Sequence, residues 1–229
     1  MPAFLAGWGL YPPTTVSTDL FSTRDDASTA ESFSLLFLCT GNRFRSPLAA
    51  SFVRRLTVGL PVVVASAGVL DVDGSPALRE ATRLGASSGV SLSAHRARHL
   101  TRDDLRDVDL LLGFEQTHLS HAVVELGADR ERSFTLPELV RLLDEIEPVA
   151  DGMPLVSRAR ERVRLAAERR VAGAVGSADE IRDPFGRSKK VARQTAVEIQ
   201  RLSLELAGRL FDVAGSGGLV VLDDERSTG

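Results

Sequence analysis

The sequence predicts an α/β protein built on a four-stranded parallel sheet with helices on both faces. Short apolar runs alternate along the chain with segments whose apolar residues recur at helical spacing, which is the pattern of a parallel sheet with crossover helices. No internal repeat interrupts this alternation. With 229 residues, of which 43% are hydrophobic, the chain can bury one sizeable core. We therefore expect a single α/β domain with additions.

Four apolar segments are expected to form the strands. Residues 35–38 are a short apolar run typical of a buried parallel strand, and residues 62–65 form a second run of the same kind. Residues 108–112 follow as a third strand, and Phe134 lies in a weaker fourth one. These strands would supply the sheet.

Helical patterns lie between and after the predicted strands. Ser46 is a good N-cap, and Pro47 would then occupy the first helical position, where proline is favoured. The remaining helices are predicted over residues 76–87, 115–126, from Pro137 onward, over residues 154–172 as an added surface helix, and over residues 189–213. A further short apolar run at residues 219–222 could add an edge strand.

The sequence also suggests where the additions lie. Residues 1–33 are rich in Ser, Thr, Asp and Pro without periodicity, and are predicted to be a flexible leader. Residues 34–213 would form the main domain, interrupted by an insertion at about 145–178. Residues 214–229 begin near a Gly-Ser-Gly-Gly stretch and are predicted to be a loose tail.

Composition excludes several classes of protein. The net charge of −3 gives no basic field of the kind that nucleic-acid binding needs. No apolar run approaches the length of a membrane span, and the N-terminus makes a poor signal peptide, so a cytoplasmic location is expected. A single cysteine excludes an internal disulfide and any thiolate metal cluster. The sequence does not indicate an oligomeric state.

The segment from Cys39 to Pro47 indicates chemistry. Cys39 ends the first predicted strand, Arg45 follows six positions later, and a helix begins directly beyond the loop. In doubly wound sheets, ligands bind at the carboxyl ends of strands, which is where this loop lies. Taken singly, each residue is at least as well explained by a structural role as by a functional one, because a cysteine at a strand end is often only part of the packed core. Taken together, these residues predict a loop that binds an oxyanion.

Such a loop can hold a tetrahedral anion over the cysteine. The backbone N–H groups of seven consecutive residues can turn inward around it: Thr40, Gly41, Asn42, Arg43, Phe44, Arg45 and Ser46. The helix N-terminus adds its positive end, and Arg45 can donate two parallel hydrogen bonds to phosphate oxygens. Gly41 and Asn42 are residue types that tolerate the left-handed backbone angles of a tight turn.

The loop amides and Arg45 also affect the ionisation of the Cys39 sulfur. They favour the thiolate of Cys39, which can attack phosphorus and form a phosphocysteine. Ser46 can also donate its hydroxyl to this sulfur. The loop therefore predicts a nucleophile and an arginine clamp on one phosphate site.

These features resemble the low-molecular-weight protein tyrosine phosphatases, which carry the pattern C-x-G-N-x-x-R-S-P after an apolar strand. Further segments match that family in order: Ser66-Ala67-Gly68, His95-Arg96-Ala97-Arg98, Asp109-Leu110-Leu111-Leu112 and Asp183-Pro184-Phe185-Gly186. The match runs from Leu35 to about Val213. It implies the fold of that family, and a phosphatase domain over residues 34–213.

The resemblance also implies roles for residues outside the loop. Asp183 would be the general acid that protonates the leaving oxygen, and then the base for the water that hydrolyses phosphocysteine. Phe185 would be the aromatic wall against which a phosphotyrosine ring stacks. His95 would support Asn42 of the loop. Without the resemblance, Asp-Pro-Phe-Gly is only a turn, and His95 is more often a satisfied structural histidine.

The sequence departs from the family at three places. Phe44 stands where many members have a second cysteine, so no internal disulfide can shield the nucleophile. Gly113-Phe114-Glu115 replaces the usual Met-Asp, which leaves the role of Glu115 open. The insertion before Asp183 is either a solvated structural helix, which is favoured, or a segment that shapes substrate access.

The favoured function is phosphomonoester hydrolysis without a metal or organic cofactor, acting on a phosphotyrosine protein or a small phosphomonoester. Two alternatives stay open. The first is arsenate reduction with an external small thiol, because arsenate mimics phosphate; related reductases often have Gln where Pro47 stands, which favours the phosphatase. The second is a non-catalytic phosphate-binding regulatory module, which would need neither the Cys nor the Asp.

Overall fold

The computed structural model describes residues 31–147, 152–170 and 179–222. Parts of the expected leader, insertion and tail lie outside these residues, namely 1–30, 148–151, 171–178 and 223–229. The predicted boundaries of those three additions therefore stay predictions.

Four parallel strands form one sheet, as the alternating pattern predicts. They are β1 (Phe33–Cys39), β2 (Val62–Gly68), β3 (Leu110–Gly113) and β4 (Ser133–Thr135), in the spatial order β2-β1-β3-β4. The chain passes from β1 outward to β2 and then returns to β3 on the other side of β1. A crevice opens at such a reversal, at the carboxyl ends of the strands. Cys39 is the last residue of β1 and therefore lies at that crevice.

Six α-helices accompany the sheet within the described ranges. They are α1 (Arg45–Leu56), α2 (Arg79–Ser87), α3 (Gln116–Ser120), α4 (Leu136–Asp144), α5 (Leu155–Arg169) and α6 (Lys189–Phe211). One π-helical turn, His121–Glu125, continues α3, and two short 3₁₀ turns cover Asp103–Leu105 and Arg130–Arg132. The single helix predicted over 115–126 is thus divided into an α and a π segment.

The sheet separates two apolar cores. The larger core packs α1, α4, α5 and α6 against one face, and α5 contributes four buried side chains to it: Val156, Ala159, Val163 and Ala166. The smaller core lies on the other face, under the segment from Leu100 to Val108 and the π-helical turn. Both faces are therefore covered, as parallel sheets require.

The start of α1 differs from the prediction. The helix begins at Arg45, its N-cap is Phe44 without a side-chain cap, and Ser46 and Pro47 are its second and third residues. The prediction that Ser46 caps the helix is wrong because its hydroxyl accepts a hydrogen bond from the side chain of Asn42 and lies against Cys39.

The segment after α6 also differs, because residues 219–222 form no strand. Leu219 and Leu222 pack into the larger core instead. The side chain of Gln200 on α6 donates to the carbonyl of Val220 (2.8 Å) and accepts from the amide of Leu222 (2.7 Å). This buried amide satisfies backbone groups that a neighbouring strand would otherwise have paired.

Candidate active site

A concave pocket opens beyond the end of β1, and the residues singled out in the sequence meet there. Its lining includes Cys39, Thr40, Gly41, Arg43, Phe44, Arg45, Asp183 and Phe185. Cys39 and Arg45 form its deep part, since they are only 2% and 1% exposed. Three apolar side chains, which sequence reasoning did not single out, complete the wall: Leu70, Val72 and Leu78.

The carbonyl groups of the loop point away from this pocket. Three of them accept hydrogen bonds from backbone amides outside the loop: Cys39 from Val69 (3.0 Å), Thr40 from Leu70 (2.9 Å) and Arg43 from Leu78 (2.8 Å). The carbonyl of Asn42 lies 2.7 Å from Nε2 of His95. Within the described residues, the amides of residues 40–44 meet no protein acceptor. Because a trans peptide directs its N–H opposite to the preceding C=O, the amides of Thr40, Gly41, Arg43 and Phe44 turn inward as a nest for an anion.

Asn42 fixes the sharpest bend of the loop. Its φ of 51° is left-handed, a conformation that asparagine tolerates better than most residues. Its side chain donates to the hydroxyls of Ser46 (2.9 Å) and Ser66 (3.0 Å) and accepts from the amide of Arg98 (3.1 Å). Gly41, which the sequence also suggested for a left-handed position, does not have a positive φ. The bend therefore rests on Asn42 alone.

The end of β2 closes against the back of the loop. A Cβ atom at Gly68 would lie 2.9 Å from both the nitrogen of Asn42 and the carbonyl oxygen of Thr40. Only glycine leaves room for so close an approach of two backbones. His95 supports the loop from the same side, and burial lowers the pKa of its ring.

The sulfur of Cys39 has one hydroxyl neighbour. Oγ of Ser46 lies 3.0 Å from Sγ and accepts a hydrogen bond from Asn42. The hydroxyl proton is therefore free to point at the sulfur, with the carbonyl of Ala67 at 3.3 Å as its other acceptor. A thiolate is the stronger acceptor of the two, since hydrogen bonds to charged groups are stronger.

Arg45 is held by partners on both sides of its guanidinium. Nη1 donates to Glu115 (2.5 Å) and to the carbonyl of Ile181 (2.9 Å). Nη2 donates to the hydroxyl of Thr40 (2.9 Å) and to Oδ2 of Asp183 (2.6 Å). Two carboxylates thus balance the buried cation, as a charge removed from water requires. The four Nη protons all have protein acceptors, so an anion in the pocket can bind Nη2 only by displacing Oδ2 of Asp183.

Glu115 and His118 contact Arg45 and Thr40 in the candidate site, and the sequence did not assign a role to either. They form a reciprocal cap of α3, in which the Glu115 side chain accepts from the amide of His118 and Nδ1 of His118 accepts from the amide of Glu115. The capping-box spacing of three residues was the available signal, although histidine is not its usual second member. The cap places a carboxylate against Arg45 and an imidazole against Thr40, with 3.1 Å between Nε2 and Oγ1.

The pKa of His118 makes the stability of the fold depend on pH. Burial, and then the charge of Arg45, lower this pKa from 6.5 to about 3. The unfolded chain binds a proton at His118 below about pH 6.5, whereas the folded chain does not bind it until the pH is near 3. The contribution of the neutral His118 to the free energy of unfolding is therefore fully present above pH 6.5. It decreases by about 1.4 kcal/mol per pH unit as the pH falls toward 3.

We expect His118→Gln to make the free energy of unfolding less dependent on pH by about that slope. Urea unfolding at several values between about pH 4 and pH 7 measures the difference from the wild type. His121→Gln is the matched control, because His121 is a partly exposed histidine on the next turn whose Nδ1 lies 3.0 Å from Oε2 of Glu125. An unchanged slope in His118→Gln, or an equal change in both variants, would contradict the burial of a neutral His118.

Asp183 and Phe185 lie at the mouth of the pocket. Oδ1 of Asp183 accepts from the amide of Phe185 (3.0 Å), while Oδ2 accepts from Arg45. The segment is anchored just beyond the end of β3, because the amide of Ile181 donates to the carbonyl of Phe114 (2.8 Å). The ring of Phe185 is 71% exposed, so it can form a wall for a bound group.

None of the helices within the three described ranges combines the length and apolar character that a bilayer crossing requires.

Comparison with known proteins finds relatives among the low molecular weight protein-tyrosine-phosphatases and the protein-arginine-phosphatases. The low molecular weight protein-tyrosine-phosphatase Etp of Escherichia coli (strain K12) is 40% identical over 87 residues, which are 38% of this chain and 57% of Etp. The chain thus spans little more than half the length of this curated relative. The protein-arginine-phosphatase of Bacillus subtilis (strain 168) is 27% identical over 178 residues, covering 77% of this chain and 95% of that protein.

Solved structures extend the similarity to the fold. The crystal structure of a low molecular weight protein tyrosine phosphatase from T. tengcongensis superposes with a TM-score of 0.59 at 27% identity, covering 78% of this chain and 100% of that one. The family model described as low molecular weight phosphotyrosine protein phosphatase matches residues 34–151, just over half of the chain. The chain therefore belongs to the low molecular weight phosphotyrosine protein phosphatase family.

Proposed function

We propose that this protein hydrolyses phosphomonoesters through a phosphocysteine formed on Cys39. One observation carries the proposal: a buried cysteine and a fully oriented arginine border a pocket into which unpaired loop amides point. A pure anion site needs the amides and Arg45, but it has no use for a sulfur at its base or a carboxylate at its mouth. The non-catalytic alternative is therefore disfavoured.

The first step transfers the phosphoryl group to sulfur. The phosphate oxygens accept hydrogen bonds from the loop amides and from Arg45, which brings phosphorus in line with Sγ of Cys39. A lone pair of the thiolate forms the S–P bond while the bond between phosphorus and the ester oxygen breaks. Binding of the phosphate displaces the carboxylate of Asp183 from Nη2 of Arg45, and the freed carboxyl group takes a proton from solvent. Asp183 gives this proton to the ester oxygen, so the leaving group departs as a neutral alcohol or phenol.

The second step releases phosphate. Asp183, now a carboxylate, takes a proton from a water molecule as its oxygen attacks phosphorus. The S–P bond breaks and its electron pair returns to sulfur, which regenerates the thiolate. The hydroxyl of Ser46, 3.0 Å from Sγ, is placed to donate to the departing sulfur.

For the substrate, we propose phosphotyrosine in a protein. Phe185 and the apolar side chains of Leu70, Val72 and Leu78 border the pocket, and an aromatic ring can pack among them. Phosphoarginine is the second candidate, because the protein-arginine-phosphatase of Bacillus subtilis (strain 168) matches over 95% of its own length. The guanidinium group of phosphoarginine would have to lie against the same apolar wall of Phe185, Leu70, Val72 and Leu78. A cytoplasmic location, predicted from the sequence, remains part of the proposal.

A parallel assay of the wild-type protein tests these assignments. We expect turnover of p-nitrophenyl phosphate and of a phosphotyrosine peptide, and a kcat/KM for the phosphotyrosine peptide above that for a phosphoarginine peptide of the same sequence. Arsenate with a small external thiol provides the third arm. Release of arsenite without phosphatase activity would contradict the proposal and favour the reductase.

A further inference from the structure

The hydrogen bonds of the Thr40 side chain point beyond the role of its backbone amide. Oγ1 of Thr40 lies 2.9 Å from Nη2 of Arg45 and 3.1 Å from Nε2 of His118. A guanidinium has only donors, so the contact with Arg45 occupies one lone pair of the hydroxyl oxygen. The direction of the second contact depends on which nitrogen of His118 carries its proton.

The backbone fixes the tautomer of His118. Nδ1 lies 3.2 Å from the amide nitrogen of Phe114 and 3.1 Å from that of Glu115, and it accepts from both. This nitrogen therefore carries no proton. Because the buried ring is neutral, its one proton is on Nε2, which donates to Oγ1 of Thr40. A carboxylate oxygen of Glu115 lies farther from Nε2, at 3.5 Å.

Both acceptor positions of the Thr40 hydroxyl are thus occupied. A hydroxyl has two lone pairs and one proton, so its only remaining capacity is to donate. Among the described residues, the partners of Oγ1 are the two donors already named, and no protein acceptor takes its proton. Thr40 is one of the residues that line the pocket. The hydroxyl proton of Thr40 is therefore available for donation to a group that binds in the pocket.

We propose that the Thr40 hydroxyl donates a hydrogen bond to an oxygen of the bound phosphoryl group, with His118 as the positioning residue that enforces this direction. The inference rests on the proposed function and adds a side-chain donor to the loop amides and Arg45. A donor aimed in advance at a phosphoryl oxygen needs no reorientation when charge develops there.

The test compares Thr40→Val, which keeps the shape but removes the hydroxyl, with Thr40→Ser, which keeps it. Inorganic phosphate is the probe, as a competitive inhibitor of p-nitrophenyl phosphate turnover. We expect the inhibition constant to rise roughly tenfold or more in Thr40→Val, as for loss of a hydrogen bond to a charged group, and Thr40→Ser to recover most of the affinity. Equal inhibition constants in the wild type and Thr40→Val would overturn the proposal.

A second measurement separates donation to phosphate from mere support of Arg45. In the phosphate complex, NMR is expected to show a coupling across the hydrogen bond between the Thr40 hydroxyl proton and ³¹P. A hydroxyl that only accepts from Arg45 would give no such coupling, even if Thr40→Val weakened binding. Absence of the coupling in the wild-type complex would therefore overturn the proposal.

The role of His118 is tested by the same coupling. His118→Gln retains an amide nitrogen at the ε position and is expected to preserve the coupling, whereas the shorter His118→Asn is expected to lose it. Identical spectra for the two variants would overturn the positioning role. A wild-type protein that binds no phosphate would refute the proposed function as well. A wild-type phosphatase without the coupling would refute only the role of Thr40.

Discussion

Replacing Cys39 with serine is expected to lower kcat for p-nitrophenyl phosphate by roughly 10⁴-fold or more. The sulfur is the atom that forms the covalent bond to phosphorus, and a serine hydroxyl remains protonated and weakly nucleophilic in its place. No second cysteine exists anywhere in the sequence to substitute for it. Steady-state kinetics with a sensitive end-point assay measures the loss.

Phosphate binding by Cys39→Ser provides the control. The loop amides and Arg45 are unchanged in this variant, so calorimetry should give a dissociation constant for inorganic phosphate close to that of the wild type. The expected pattern is therefore an intact anion site without turnover. Activity within tenfold of the wild type would show that another group is the nucleophile.

Asp183→Asn is expected to slow turnover by about 10²- to 10⁴-fold, which is the range for loss of a general acid. Asparagine has one oxygen where aspartate has two, so it can keep the contact with the amide of Phe185, while its NH2 group cannot accept from Nη2 of Arg45. It cannot give a proton to the leaving oxygen. The loss should be larger for phenyl phosphate than for p-nitrophenyl phosphate, because phenolate needs protonation more than p-nitrophenolate does.

Asp212→Asn is a matched control for this variant. Asp212 also pairs with two arginines, Arg158 and Arg162, but it lies at the end of α6 and does not line the pocket. Its φ of 57° is left-handed, which asparagine tolerates as well. Its kinetics should match the wild type for both substrates. An equal loss for both leaving groups in Asp183→Asn would argue against the acid role.

The strands and the anion loop could be predicted because their signals are local. An apolar run such as residues 35–38 has few alternatives to a buried strand when a helical pattern follows it. Cys39, Asn42 and Arg45 lie within seven positions, and a strand-to-helix turn brings such neighbours to one point whatever the rest of the chain does. The position of the loop at the carboxyl ends of the strands then followed from the rule for ligand sites in doubly wound sheets.

The partners of Arg45 could not be predicted in the same way. Glu115 and Ile181 are 70 and 136 positions away in sequence, and only the packed fold brings them to one guanidinium. Asp183 was assigned from a family resemblance and not from its own Asp-Pro turn. His118 carried no signal apart from its spacing from Glu115.

The errors at Ser46 and Gly41 have a common cause. Residue preferences describe the commonest local role, and tertiary contacts redirected both residues. The Ser46 hydroxyl serves Asn42 and Cys39 and not the helix end. Asn42 adopts the left-handed backbone angle, and three hydrogen bonds of its side-chain amide hold it in that conformation. Gly41 does not have a positive φ.

The residue that carries the phosphoryl group in a trapped covalent intermediate decides whether Cys39 is the nucleophile. Asp183→Asn also lacks the base for the water step, so with p-nitrophenyl phosphate, whose leaving group departs unaided, phosphoenzyme should accumulate. Acid quenching followed by peptide mass spectrometry should find the phosphoryl group on the peptide that contains Cys39, and none in Cys39→Ser/Asp183→Asn. Turnover with no adduct on Cys39, or an adduct on a different residue, would contradict the account.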